Sequence, residues 1–334
     1  MRLAFLQIHD APYRMDFLRC LAVQEDVELT VYTYQKQDLV HSYWALGDLG
    51  YASCSLGAAV RIGPSLLHFR LLNPFFLRSF DMVAVMAHSH ITSLLAYFWC
   101  LVWGIPYVYM ADTVWERISS LWARSMKAVI YQRAAFLFVP GAVSARFFAR
   151  AYGIAPDKVM MGYYNFSYAK IKAWAEAGRI DRLETRRALK VNAEDELSIM
   201  VANFLPFRKQ LGLIQSFNFS DGQKLILVGE GTCLAECKTY VEKNKLDHRV
   251  IFIPGLPFEK MVKLLVACDV YVHSGKEPYS TMPLLAKLVG LRLGRHGDIP
   301  AYADVGEETW AEKFDAHKVA VAFADRCRIV RSKQ

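Results

Sequence analysis

The chain has 334 residues, 54% of them hydrophobic and 13% aromatic, which excludes a disordered protein and fits two folded domains of similar size. Its formal net charge of +8 points to an anionic partner, whether nucleotide, nucleic acid or acidic membrane surface. The seven cysteines are scattered and odd in number, with no CxxC pair, so a reduced cytosolic setting and no metal site are expected.

The first predicted element is a buried strand at Arg2–Ile8, followed by a helix at Met15–Val23 and a strand at Val27–Thr33. Met1–Ile8 runs into Asp10 and Arg14 without a cleavage pattern, so no secretory signal is expected. The intervening loop His9–Arg14 has no glycine, which removes the main support for a nicotinamide dinucleotide. Arg14 reads as a solvated loop charge or a phosphate contact.

From Leu66 to Arg78 leucines and phenylalanines alternate irregularly with His68, Arg70 and Arg78. That mixture suits either a lipid interface or a helix packed on a sheet. Ile91–Met110 is apolar and long enough to span a bilayer, but Gly104-Ile105-Pro106 divides it. We read Asp81–Met86, Ile91–Trp103 and Pro106–Met110 as strand, helix and strand within a buried α/β layer. His88, Ser89, His90 and Asp112 then fall at the carboxyl ends of neighbouring strands, where open α/β sheets bind ligands.

Arg117–Arg133 reads as a helix with a second basic and aromatic face, through Arg117, Arg124, Lys127, Arg133, Trp122 and Tyr131. A strand at Ala135–Pro140, a helix at Ala142–Tyr152 and a strand at Lys158–Tyr164 close the first half. Asn165–Tyr168 is read as a hinge and Ala169–Leu189 as a polar helical connector.

The second half repeats the alternation. Strands are expected at Leu197–Asn203, Lys224–Val228, Val250–Phe252 and Cys268–His273, with helices at Cys233–Asn244 and Phe258–Ala267 and another beginning at Ser280 or Thr281. The resulting architecture is α/β, with two doubly wound, Rossmann-like domains at 1–168 and 169–334. Arg208 and Lys209 follow the first strand of this half and offer cations, or are ordinary loop charges. Gly229-Glu230-Gly231 permits close backbone approach or simply turns the chain. Glu277 stands just ahead of the last helix, whose first amides favour an anion.

The series Ala202–Lys209, Leu227–Gly231, Arg249–Gly255 and Ala267–Ser274, followed by Glu277, resembles the donor-binding domain of retaining GT-B glycosyltransferases of the family 4 type. Phe80–Val85, Gly104–Pro106 and the strand to Pro140 carry a weaker likeness in the first half. The resemblance implies a GT-B fold with the two domains facing a cleft, and a hexosyltransferase acting on a nucleotide-sugar with retention. It implies that Arg208 and Lys209 contact the donor diphosphate, that Gly255 and Leu256 border the base, and that Ser280, Thr281 and Met282 present amides to phosphate. Glu277 would bind the transferred sugar, with His88 and Asp112 facing acceptor and sugar. No metal is expected, because the cations and the helix dipole would serve the leaving group. The acceptor is expected to be lipid-linked or a glycan, and the protein cytoplasmic and peripheral on the inner face of the membrane. Leu285 stands where the family places the second of two glutamates eight positions apart, so a degenerate GT-B protein that binds without transferring is the alternative. With no RRM, zinc or helix-turn-helix signature, nucleic acid is not an expected partner.

Overall fold

The computed structural model of the chain describes residues 1–35, 48–63, 65–86, 90–110, 120–274, 281–294 and 314–333. These fall into two units, one of residues 1–35, 48–167 and 314–333, the other of residues 168–294.

The first unit opens with β1 (Arg2–Gln7), α1 (Pro12–Ala22), β2 (Glu28–Thr33) and β3 (Ala52–Ser55). A hairpin of β4 (Ala59–Ile62) and β5 (Ser65–His68) follows, with 3-10 turns at Phe69–Leu72 and Phe76–Ser79. Then come β6 (Met82–Met86), α2 (Ile91–Trp103), β7 (Tyr107–Met110), α3 (Leu121–Arg133), β8 (Phe136–Val139), α4 (Ala142–Tyr152) and β9 (Val159–Met161). The seven-stranded sheet is ordered β3-β2-β1-β6-β7-β8-β9 with every pair parallel.

Alternation along the strands feeds two cores, one on each face. Leu3 and Phe5 of β1 and Met82 and Ala84 of β6 pack on one side with Phe17 and Leu18 of α1. Ala4, Leu6, Val83 and Val85 pack on the other side with Tyr97 of α2, Tyr131 of α3 and Phe148 of α4. The order reverses between β1 and β6, which leaves a switch point at the sheet's carboxyl edge.

The second unit holds α5 (Tyr168–Ile180), α6 (Arg182–Ala188), β10 (Glu196–Val201), α7 (Gln210–Ser216), β11 (Gln223–Val228) and α8 (Leu234–Lys243). It continues with β12 (Val250–Ile253), α9 (Phe258–Ala267), β13 (Val270–Tyr271), α10 (Thr281–Leu288) and β14 (Arg292–Leu293). Its parallel sheet is ordered β12-β11-β10-β13-β14, with the switch point between β10 and β13. The alternating pattern read from the sequence is therefore a pair of doubly wound α/β units. After the second unit the chain ends in α11 (Ala316–Ser332).

The long apolar run folds as helix, turn and strand, as expected, because Gly104 takes the left-handed conformation (φ 64°) that ends α2. Among the described residues no helix is long and apolar enough to cross a membrane. Other expectations are corrected. The α2 helix is not wholly buried, since Phe98 and Val102 are each 51% exposed. Of the two readings of Leu66–Arg78 the packed helix is excluded, since the segment forms the end of β5 and two 3-10 turns. The expected connector is two helices, with α5 packed so closely on α9 that a Cβ on Gly178 would lie 3.0 Å from the Lys263 Cα. Pro12 sets φ for a helix start, so α1 begins three residues earlier than expected and Arg14 sits within it, 5% exposed, rather than in a solvated loop. Finally, the sequence reading counts α11 with the second half, yet Ala316, Val319, Ala320, Phe323 and Cys327 belong to the β1–α1 core of the first unit.

Candidate functional site

The carboxyl edge of the second sheet is assembled from the loops that follow β10, β11, β12 and β13. The loop after β10 is bonded to the loop after β11 through backbone alone: Ala202 N donates to Val228 O (3.0 Å), Phe204 N to Glu230 O (2.8 Å) and Cys233 N to Phe204 O (3.0 Å). Such proximity requires glycine. Gly229 (φ 144°) and Gly231 (φ 146°) lie so near the Ala202 and Phe204 carbonyls that a Cβ on either would collide with backbone. Gly229 N donates in turn to Ile253 O at the end of β12 (3.0 Å), two residues before Gly255. Gly255 and Leu256 are half-buried at this same edge.

Pro206–Arg208 forms a 3-10 turn that ends on Lys209, whose φ of 56° and ψ of 34° place a lysine in the left-handed region. A side chain there costs roughly 1–3 kcal/mol and is held by its surroundings. The holding contacts are visible: Gln210 Nε2 donates to Asn203 O (2.8 Å), and Ser274 Oγ donates to Arg208 O (2.5 Å). The Lys209 ammonium is exposed and has no partner among the described residues. The Arg208 guanidinium is half-buried, 5.3 Å from the Phe207 ring centroid.

His273 follows β13 at the same edge. It is 4% exposed, its ring stacks on Tyr271 at 6.5 Å, and neither ring nitrogen has a hydrogen-bond partner among the described residues. Burial first, and the Arg208 guanidinium second, pull its pKa down to about 4 from 6.5, so the ring is neutral at pH 7. Sequence reading quotes His273 within a motif and assigns it no role. The signal that could have found it is position, one residue past a buried strand and beside the Arg208 turn.

Thr281 and Met282 begin α10 and bring their amides to its N-terminus, where Pro283 adds none. Leu285, on the same helix, has no exposed surface and serves the core. Glu277 and Ser280 lie outside the described residues, as do His88 and Asp112 of the first unit. The structure thus brings the Arg208 guanidinium into electrostatic range of His273, and places Lys209, Gly255, Leu256, Thr281 and Met282 at ends of neighbouring elements.

The carboxyl edge of the first sheet carries its own polar network. Arg14 Nη1 donates to Gln7 Oε1 (3.3 Å), Gln7 Nε2 to Asp10 Oδ1 (2.8 Å), and Tyr51 Oη to the same Asp10 oxygen (2.8 Å). Beside α2, His68 is fixed by Thr92 Oγ1 (3.0 Å) and by the Tyr34 carbonyl (2.8 Å), which marks it as a core hydrogen-bonder. All seven cysteines are free thiols.

Known proteins agree with this architecture. Residues 181–291, from just before α6 to just before β14, match the family model described as Glycosyl transferases group 1. No curated protein matches the chain. Among solved structures, HepE from Anabaena in complex with UDP and glucose superposes with a TM-score of 0.72 at 15% identity, over 97% of this chain and 98% of that one. Sucrose-phosphate synthase from Thermosynechococcus elongatus gives 0.70 at 13% identity over 100% of both chains. WaaG, a glycosyltransferase involved in lipopolysaccharide biosynthesis, gives 0.59 at 15% identity over 99% of this chain and 95% of its own. The chain has the GT-B fold, and residues 181–291 of its second unit are similar to the glycosyl transferases group 1 family.

Proposed function

We propose that this protein is a glycosyltransferase of the retaining, family 4 type that takes a hexose from a UDP-sugar held at the carboxyl edge of the second unit. What supports the reading is topology: Arg208 and Lys209, the Gly229–Gly231 turn and the first amides of α10 follow β10, β11 and β13, which are neighbours in the sheet. The match of that unit to the group 1 domain supports it, and HepE, solved with UDP and with UDP-glucose, supports uridine as the base.

In the proposed reaction the bond from the anomeric carbon to the diphosphate oxygen breaks, and both its electrons leave on the diphosphate. An acceptor hydroxyl oxygen bonds to that carbon from the same face, its proton passes to the departing phosphate oxygen, and configuration is retained. Lys209, Arg208 and the α10 N-terminus would offset the charge on the departing diphosphate without a metal ion. Glu277 would hold the sugar, while His88 and Asp112 would face sugar and acceptor. The acceptor in this reading is lipid-linked or a glycan, presented at the inner face of the cytoplasmic membrane.

The test is calorimetric titration with UDP, GDP and ADP, with product release measured from the corresponding sugar nucleotides. UDP is expected to bind. Lys209→Ala should weaken it by roughly 1.5–3 kcal/mol, the worth of a charged hydrogen bond. Lys209→Gly should weaken it equally while raising the melting temperature, because glycine suits φ 56° at no steric cost. Absence of binding to any nucleotide would overturn the reading. Binding without turnover of any donor would instead favour the degenerate protein that the leucine at position 285 suggests.

A further inference from the structure

We infer that the outer face of α2, with the turn segment 69–78 packed beside it, is a docking surface for an anionic lipid bilayer. The α2 helix contains no charged residue in thirteen. Its inner face packs through Thr92, Ser93, Ala96, Tyr97 and Cys100, at helical spacing. Its outer face shows Phe98, Leu101 and Val102 to solvent, where a helix facing water carries charged and polar groups.

The neighbouring turns enlarge this face. Trp99 Nε1 donates to Leu71 O (2.8 Å) and Trp103 Nε1 to Pro74 O (2.6 Å), which pins segment 69–78 along the helix. Phe75, 59% exposed, stacks on Trp103 at 5.7 Å, and Phe69 and Leu72 on the same segment are each about half exposed. An apolar patch of this kind on a monomer marks an interaction site.

Charge identifies what it meets. The Arg78 guanidinium lies 4.6 Å from the Trp103 ring centroid, Arg70 lies 4.7 Å from that of Phe76, and Arg61 is exposed on β4. From residue 49 to residue 111 the chain has one carboxylate, Asp81, which accepts from the Arg2 amide (2.7 Å) at the start of the sheet. None of the three arginines forms an ion pair among the described residues. Phenyl and indole rings flanked by guanidinium groups suit the level of lipid headgroups, where rings enter the apolar boundary and arginines meet phosphate. A second copy fits poorly, because a two-fold contact would set arginine against arginine with no carboxylate to pair.

This inference does not rest on the transferase reading, and its test needs neither donor nor acceptor. The full chain is sedimented with vesicles of phosphatidylglycerol and phosphatidylcholine in equal parts, and with phosphatidylcholine alone. Binding is expected to the anionic vesicles and to fall as sodium chloride rises. Phe98→Asp with Val102→Asp should weaken it by about tenfold or more, and Arg70→Gln with Arg78→Gln should weaken it and flatten its salt dependence. Circular dichroism of each variant should match the parent, with at most a small fall in melting temperature where the arginine–ring contacts are lost. The inference is overturned by a parent protein that ignores anionic vesicles, or by a variant carrying both Phe98→Asp and Val102→Asp that binds them as the parent does. It is equally overturned by a parent dimer that those two substitutions turn into monomer. Failure of this experiment would leave nucleotide binding untouched, and the reverse also holds.

Discussion

Burial sets the ring of His273 against Tyr271 with Arg208 as its charged neighbour, so protonating it within the fold costs more than protonating it in an open chain. Its pKa is about 4 in the folded protein against 6.5 ordinarily, and between those values the unfolded chain binds more protons. The stability linked to the neutral ring is therefore complete above pH 6.5 and is lost as pH falls toward 4, to a total of about 3 kcal/mol. His273→Phe removes the titration while keeping a ring on Tyr271. Urea melts at pH 7.5 and 4.5 should show the parent losing more stability than the variant over that interval. Equal losses would assign the acid sensitivity to other groups.

At the scale of elements, α6 is fastened to the amino edge of the second sheet, opposite Lys209. Arg182 Nη2 meets Asp269 Oδ1 at 2.7 Å, the buried Arg186 reaches Asp269 Oδ2 at 3.4 Å, and the Leu197 amide donates to that same oxygen at 2.8 Å. Burial alone would raise the carboxyl pKa, but the Leu197 amide and the two arginines hold it below the usual value. Asp269→Asn leaves Arg186 buried without its counter-charge, a loss on the order of 3–5 kcal/mol. A urea melt should register that loss with UDP affinity unchanged; a weakened affinity would move the carboxylate into the binding edge. The motif Ala267–Ser274 was legible in the sequence, and so was a strand there, because its apolar run is bounded by polar residues. Which end of the strand each polar residue occupied was not, since β13 covers only Val270–Tyr271 and the two edges have opposite roles. The long periodic helices α2, α4 and α9 were readable to within a residue or so from apolar spacing and from stops such as Gly104 and Gly153. The strands β3 and β4 were not, because four largely exposed residues show no buried alternation. Of the candidate site, Arg208, Lys209 and the glycine turn were visible as charge and punctuation after strands. The burial of Arg14, His273 and Leu285 depends on neighbours distant in sequence, and no local pattern announces it.

At the scale of the molecule, the core of the first unit is closed by α11, which follows the whole second unit in sequence. The return is fixed by backbone bonds from Phe166 N to Phe314 O (3.2 Å) and from Ala316 N to Phe166 O (2.9 Å), and Asp315 caps α11 by accepting from the His317 amide (3.0 Å). Phe323 then enters the cluster with no exposed surface, its ring centroid 5.5 Å from that of Phe17, 5.4 Å from Phe136 and 5.2 Å from Phe138. Strands from the first 140 residues therefore keep an uncovered apolar face until residue 323 is in place, while the sheet of the second unit has no such dependence on α11. Truncating a buried phenylalanine costs about 3–5 kcal/mol through lost burial and a cavity. For Phe323→Ala that cost should appear in hydrogen exchange as faster opening of β1, β6 and β8, with the amides of β10 and β11 keeping their protection and UDP binding unchanged in affinity. Acceleration spread equally over β10 and β11 would mean that stability is shared across the chain, and none in β1 would mean that α11 merely covers a core already complete. The expected pattern makes α11 the element that completes the first unit, and separates the residues that hold the fold from those proposed to hold the nucleotide.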